Sequence, residues 1–258
     1  MKTLKSSKGF LGLPKEVANK NKVLIIPYGL EKTVSYESGT KLGPKKIIKA
    51  SHQVELFDEE LKYEPYKKFN LKTLKIDIPK ENLNNALKYL TKTITQVLNM
   101  KCFPLTLGGE HSITPAIIKS FKNKFSKLTI IQIDAHADLR NQYLGNKNSH
   151  ATAMRRCLDN KNVDIIAIGI RNICKEEFDF VKKNRKKVKI FWAKDISKQS
   201  LKKIKNLIKN KNVYLTFDVD GFDSSLMPAT GTPEPGGLFW NETLEILKVV
   251  FKNCNVVG

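Results

Sequence analysis

Three short clusters concentrate the chain's histidines and aspartates. They are Gly108-Gly109-Glu110-His111-Ser112, Asp134-Ala135-His136-Ala137-Asp138 and Phe217-Asp218-Val219-Asp220-Gly221-Phe222-Asp223. In the first, two glycines allow a sharp turn and a close backbone approach to a ligand, with His111 just beyond. In extended chain, residues two apart share a face. Asp134, His136 and Asp138 can therefore converge, as can Asp218 and Asp220. Ionisable groups gathered at the end of an apolar segment are costly unless something compensates them, and a divalent cation does so directly. Carboxylate and imidazole without thiolate suit manganese, iron or zinc. His111, Asp134, His136, Asp138, Asp218 and Asp220 exceed the needs of one ion and suit two, with Asp134 and Asp218 as bridges. Two such ions can hold a hydroxide between them and bring the pKa of its parent water near neutrality. The chemistry expected is metal-assisted hydrolysis at an electrophilic carbon or phosphorus. The bland alternatives are a structural loop histidine at 111 and solvated turns at the two Asp-rich clusters.

The elements that must hold these clusters alternate along the chain. Strands are predicted at 23–27, 74–77 (weaker), 103–107, 128–133, 163–170, 189–192 and 213–217. Helices are predicted from Gly43-Pro44 through Ala50, over 82–99, from Thr114-Pro115, over 196–211 and over 241–252. Leu83, Leu87, Leu90, Ile94 and Leu98 recur at helical spacing in the second of these, and Pro115 suits a first helical turn. The last four residues, Asn255-Val256-Val257-Gly258, read as a strand only begun. Such alternation predicts a three-layer αβα fold with a mostly parallel sheet. It is read as a single domain over 1–258, with residues 1–9 flexible. In such sheets chemistry collects at the carboxyl ends of strands, which is where the three clusters fall. The stretch 228–237, dense in Pro and Gly, reads as a rigid loop of the kind that walls a site.

Composition narrows the partners. The 258 residues carry a formal charge of +21, but only five of the 46 basic residues are Arg. Base readout and stacking favour Arg, so the Lys excess reads as solvated surface and no nucleic-acid partner is expected. No apolar run approaches the roughly 18 residues of a membrane span, and no apolar stretch follows the basic N-terminus as in a secretory signal. Cys102, Cys157, Cys174 and Cys254 are scattered without a CxxC pair, which suits free thiols in a reducing, cytoplasmic setting.

Together the clusters resemble the ureohydrolase family of arginases and agmatinases. The stretches 108–112, 134–138 and 218–223 are similar to its three signature motifs, in the family's order. Thr230-Gly231-Thr232-Pro233 and Gly236-Gly237 also match, and Thr33–Thr40 followed by Gly43-Pro44 is more like agmatinases. The resemblance implies an arginase-like fold and two Mn2+ per chain. One ion would be held by His111, Asp134, Asp138 and Asp218, the other by Asp134, His136, Asp218 and Asp220. It implies hydrolysis of the guanidino C–N bond of agmatine to putrescine and urea, with Asp138 orienting the hydroxide and His150 relaying a proton to the leaving amine. It further implies a small cationic guanidine substrate and a trimer or hexamer. Two departures stand out. Ser224 follows Asp223 where the family has Pro. The family's last strand also carries a guanidinium-binding Glu beyond a Val-Val-Gly like 256–258. No residue here fills that role, since Glu234 and Glu242 fall elsewhere in the pattern, so the final strand is expected to be incomplete. The alternatives are another guanidine (aminopropylagmatine, guanidinobutyrate or arginine) or a shortened metal-binding chain without turnover.

Overall fold

A computed structural model describes residues 1–258. They sort into two compact units, residues 1–32 with 39–110 and residues 33–38 with 111–258.

The first unit is built on β1 (Lys22–Tyr28), flanked in parallel by β2 (Asn70–Thr73) and β3 (Phe103–Gly108). β1 is apolar nearly throughout because it is the central strand, and Leu24, Ile25, Ile26 and Tyr28 are buried. A Pro in the first turn opens α1 (Gly43–Ala50). α2 (Leu83–Asn99) begins where the Asn82 side chain accepts from the Asn85 N–H, satisfying an otherwise orphaned donor. Its buried stripe is Ala86, Leu90, Ile94, Val97 and Leu98; full burial of each large aliphatic side chain contributes about 1.5–3 kcal/mol. Tyr28 donates its hydroxyl to the Ala86 carbonyl at 2.6 Å, hooking β1 to α2. Burial pushes that phenol's pKa up, so it remains a donor. After β3, Gly109 lies so close to Leu30 that a Cβ would sit 2.2 Å from its carbonyl oxygen, which only glycine tolerates.

The weaker strand expected at 74–77 is displaced. Pairing with β1 uses residues 70–73 instead, and Leu74 forms an antiparallel bridge with Thr3. Leu4 and Lys75 complete that contact through Thr73 and Lys2, so part of the segment expected to be flexible lies against the sheet edge.

In the second unit, β4 (Leu128–Ile133), β5 (Val163–Ile170), β6 (Val188–Trp192), β7 (Asn212–Phe217) and β8 (Asn255–Val256) form a parallel sheet in the order β6-β5-β4-β7-β8. Every residue of β4 is buried, as a central parallel strand covered on both faces requires. Ile131, Ile133, Ile166, Ile168 and Val213 pack with Ile204 and Ile208 of α6 (Lys198–Ile208) and with Ile246 and Val250 of α7 (Trp240–Asn253). Neighbouring positions point the other way: Tyr214 meets Phe121 of α3 (Thr114–Lys122), ring centres 5.2 Å apart. The order helix, sheet, helix is the expected three-layer α/β fold. Two helices escaped the sequence reading, α4 (Ala153–Cys157) and α5 (Lys175–Lys183). α4 is too short to show a period, and α5 buries only Glu177. Hydrogen bonding to β7 continues past β8, with Val257 donating to Val213 and Gly258 accepting from Leu215.

Candidate metal centre

Five of the six expected ligands lie within five residues of the carboxyl end of β4 or β7, and His111 follows β3 by three residues. The second unit gathers all six. His111, Asp134 and Asp218 form one group of potential ligand atoms, and Asp134, His136 and Asp220 another, each group lying within 4.8 Å. Asp138 Oδ2 lies 3.0 Å from His111 Nδ1.

The convergence does not come from strand alternation. β4 stops at Ile133, and Asp138 has φ of 53°, a left-handed conformation that Asp tolerates better than most residues. That turn is held from both sides. The Asp138 carbonyl accepts from Met154 and Arg155 at the start of α4, and the Leu139 N–H donates to buried Glu177 at 2.8 Å. Likewise Asp220 sits in a 3-10 turn, Val219–Gly221, capped by Asp218 accepting from the Asp220 N–H. A Cβ at Gly221 would meet Asp134 N at 2.9 Å, so glycine there lets the two acidic turns approach.

Both histidines direct Nδ1 at carboxylates. His111 Nδ1 lies 3.0 Å from Asp134 Oδ2 and 3.5 Å from Asp218 Oδ2, while its Nε2 faces the Thr216 hydroxyl at 2.9 Å. His136 Nδ1 lies 3.0 Å from Asp220 Oδ2, and its Nε2 is 3.7 Å from Glu234 Oε1. A partner on the far nitrogen settles ring orientation and leaves the other nitrogen to ligate. Fully buried Gln132 donates to Asp134 at 2.9 Å and orients it. Sequence reasoning missed both Gln132 and Thr216 as partners of the centre. A polar residue inside an otherwise apolar strand was the available signal.

The electrostatics are those of a site built for cations. Burial and the Asp134 charge raise the pKa of Asp138 to about 6. Burial and the charges of Asp220 and Asp134 raise Asp218 well above the ordinary carboxylate value, and Asp220 is raised for similar reasons. Burial disfavours charge on the histidines, yet the neighbouring carboxylates outweigh it. They hold His111 well above its ordinary value and push His136 up to about 11. Asp134 is also opposed by burial, but both histidines hold its pKa low. His111 Nδ1 is buried among these oxygens without hydrogen-bond alignment to any of them. An ordinary hydrogen-bond network does not account for that atom, whereas a cation between nitrogen and oxygens does, and the donor set suits a hard or borderline divalent ion.

His150 lies in the same unit. Its Nδ1 is 3.2 Å from the Thr33 hydroxyl and 3.3 Å from that of Ser149, its N–H donates to Thr33 at 3.0 Å, and Tyr143 packs edge-on against the ring. Asp223, on the turn after Asp220, spends its carboxylate on the loop instead. It accepts from Ser225 N and Oγ and from the N–H groups of Gly236 and Gly237.

Residues 21–258 match the Arginase family. The chain is 34% identical to the N(1)-aminopropylagmatine ureohydrolase of Synechocystis sp., over 92% of this chain and 79% of that protein. It is equally identical to an agmatinase of Bacillus cereus, over 92% and 81%. Among solved structures, the agmatine ureohydrolase of Thermoplasma volcanium superposes with a TM-score of 0.80 at 28% identity, over 94% of this chain and 83% of that one. No helix is long and apolar enough to cross a membrane. With the three clusters brought together on this scaffold and the family matched over nearly the whole chain, the protein belongs to the arginase family and is a ureohydrolase.

Proposed function

We propose that the chain hydrolyses agmatine to putrescine and urea at a centre of two Mn2+ ions. The reading is carried by one feature, the two ligand groups that share Asp134. His111, Asp134, Asp138 and Asp218 would hold one ion, and Asp134, His136, Asp218 and Asp220 the other. When bound, such a pair supplies an activated water and positive charge beside the reacting carbon. The residues of the chain do the rest. Asp138, buried with Oδ2 3.0 Å from His111 Nδ1, accepts a hydrogen bond from the attacking water and orients it. As the C–O bond forms and the C–N bond to the chain amine breaks, His150 delivers a proton to that nitrogen, and water plus guanidinium become urea plus ammonium. The Thr33 and Ser149 hydroxyls at Nδ1 hold the ring in place for that transfer.

The four cysteines are free, which suits a reducing cytoplasm, and light scattering would measure the trimer or hexamer that the resemblance implies. Relatives named for aminopropylagmatine and guanidinobutyrate hydrolysis favour a second substrate reading within the same reaction. The test is urea release with added Mn2+ from agmatine, aminopropylagmatine, guanidinobutyrate and arginine in parallel. The expected result is the highest kcat/KM with agmatine. Higher kcat/KM on another guanidine replaces the substrate, and two bound ions with no urea from any guanidine reject turnover.

A further inference from the structure

Arg171 directly follows β5, and its guanidinium bonds to a ring of main-chain oxygens. Nε donates to Pro235 at 3.0 Å, Nη1 to Gly169 at 3.2 Å and Gly221 at 3.4 Å, and Nη2 to Asp220 at 2.7 Å, Phe222 at 3.0 Å and Glu234 at 2.8 Å. Three of these carbonyls belong to the turn that carries Asp220. Two belong to the Pro- and Gly-rich loop that carries Glu234. Arginine's planar fork of five N–H donors can serve these six acceptors with one Nη2 hydrogen shared, whereas a lysine's donors all radiate from one nitrogen. Glycine at 237 is part of the fit, since a Cβ there would stand 2.7 Å from Nη2.

Both clamped segments end on one side of the metal centre. The turn brings Asp220 Oδ2 to 3.0 Å from His136 Nδ1, and the loop brings Glu234 Oε1 to 3.7 Å from His136 Nε2. Glu234 Oε1 also accepts from Asn172 Nδ2 at 2.5 Å. The Arg171 and Asn172 N–H groups both donate to the Ala135 carbonyl, tying the same strand end to the segment that carries His136. The His111 side has no such tie to Arg171; its outer partner is Thr216 on β7.

We propose that Arg171 is a positioning residue for the His136–Asp220 half of the centre, fastening the Asp220 turn and the Glu234 loop to the end of β5 so that His136 is held between them. The inference rests on the two-ion reading above, but its first test does not. Amide hydrogen exchange in the presence of chelator reads the clamp alone. In Arg171→Lys, the Gly236, Gly237 and Leu238 amides should exchange faster than in wild type, with the β4 amides unchanged.

The second readout is Mn2+ binding by equilibrium dialysis, with electron paramagnetic resonance separating a coupled ion pair from a lone ion. Arg171→Lys and Arg171→Gln should weaken the ion on the His136–Asp220 side by about 10- to 100-fold, the usual cost of losing an outer-shell partner. The ion on the His111 side should keep its wild-type affinity. His136→Asn and His111→Asn supply the reference behaviour for loss of either half. Unchanged amide exchange, unchanged affinities for both ions or equal weakening of both overturns the proposal. So does failure of both Arg171 variants to fold with excess Mn2+, which would make the residue a folding element. Fewer than two ions on wild type rejects the two-ion reading, and the exchange result then decides the clamp by itself.

Discussion

Asp218 and Asp220 share a turn with Asp223, yet the three carboxylates have opposite surroundings. Asp223 is saturated by donors: Ser225 supplies N–H and hydroxyl, and Gly236 and Gly237 supply N–H groups. The Ser225 hydroxyl and N–H, with the glycine N–H groups, hold its pKa below the ordinary value. Asp218 accepts from the Asp220 N–H, and Asp220 pairs with the Ala135 N–H and His136, but burial and the like charge of neighbouring carboxylates outweigh these contacts and raise both pKa values. The first arrangement is complete as it stands. The second crowds like charges that a cation would relieve. Carboxylates of one turn thus divide into a staple for the loop and candidate ligands for an ion.

The sharpest way to break this contrast is to neutralise each kind in turn. Asp218→Asn should abolish the binding of two ions and reduce urea release to background. Because it removes a repelled charge, its melting temperature in chelator should equal or exceed that of wild type; a clear loss would mean Asp218 is a structural residue. His150→Ala tests a group outside the ion cluster. It should lower kcat by about 10²- to 10⁴-fold, the range of general acid–base catalysis, while dialysis still finds two ions per chain.

Acid should separate the two kinds of carboxylate without mutation. His111 and His136 have raised pKa values, so each holds a proton that an entering ion must displace. Asp138, at about 6, adds another as the pH falls. Ion affinity should therefore rise with pH and fall steeply below about 6, with proton release visible as a buffer-dependent binding heat. Asp223 has the opposite sign. Its depressed pKa makes its contribution fully present above the ordinary carboxylate range, and lost only as pH falls through the depressed value. The 228–237 loop should thus resist proteolysis at pH values where the ions have already left.

Two smaller effects sharpen the contrast. Asp223→Asn should lower the melting temperature by about 2–4 °C, the shift that accompanies a modest stability loss in a domain of this size, while two ions remain bound. Tyr28→Phe, in the other unit, should cost about 1 kcal/mol in chemical denaturation and leave ion binding and urea release unchanged.

Much of this was legible in one dimension. The strands at 23–27, 128–133, 163–170 and 213–217 stood out because a parallel strand buried on both faces must be apolar nearly throughout. The helix at 82–99 stood out because one face is buried and its spacing shows. The strand at 74–77 was misplaced because residues 70–73 are half polar, and pairing with β1 decides there over composition. The candidate ligands were legible because charge crowded directly after an apolar strand is costly to bury without a counter-ion. Their mode of convergence was not. Alternation suggested that Asp134, His136 and Asp138 share a strand face, whereas a left-handed turn at Asp138 and a 3-10 turn at Asp220 bring the carboxylates together.

By itself, then, the sequence determined the alternating elements, the family and the residues that hold charge at the strand ends, because local pattern and residue chemistry carry that information. Only the tertiary structure decided what holds those residues in place. Glu177 reaches Leu139 across 38 positions, and Arg171 reaches Glu234 across 63. Such ties end on main-chain atoms, which are the same in every residue and leave no mark in the sequence until the chain is folded.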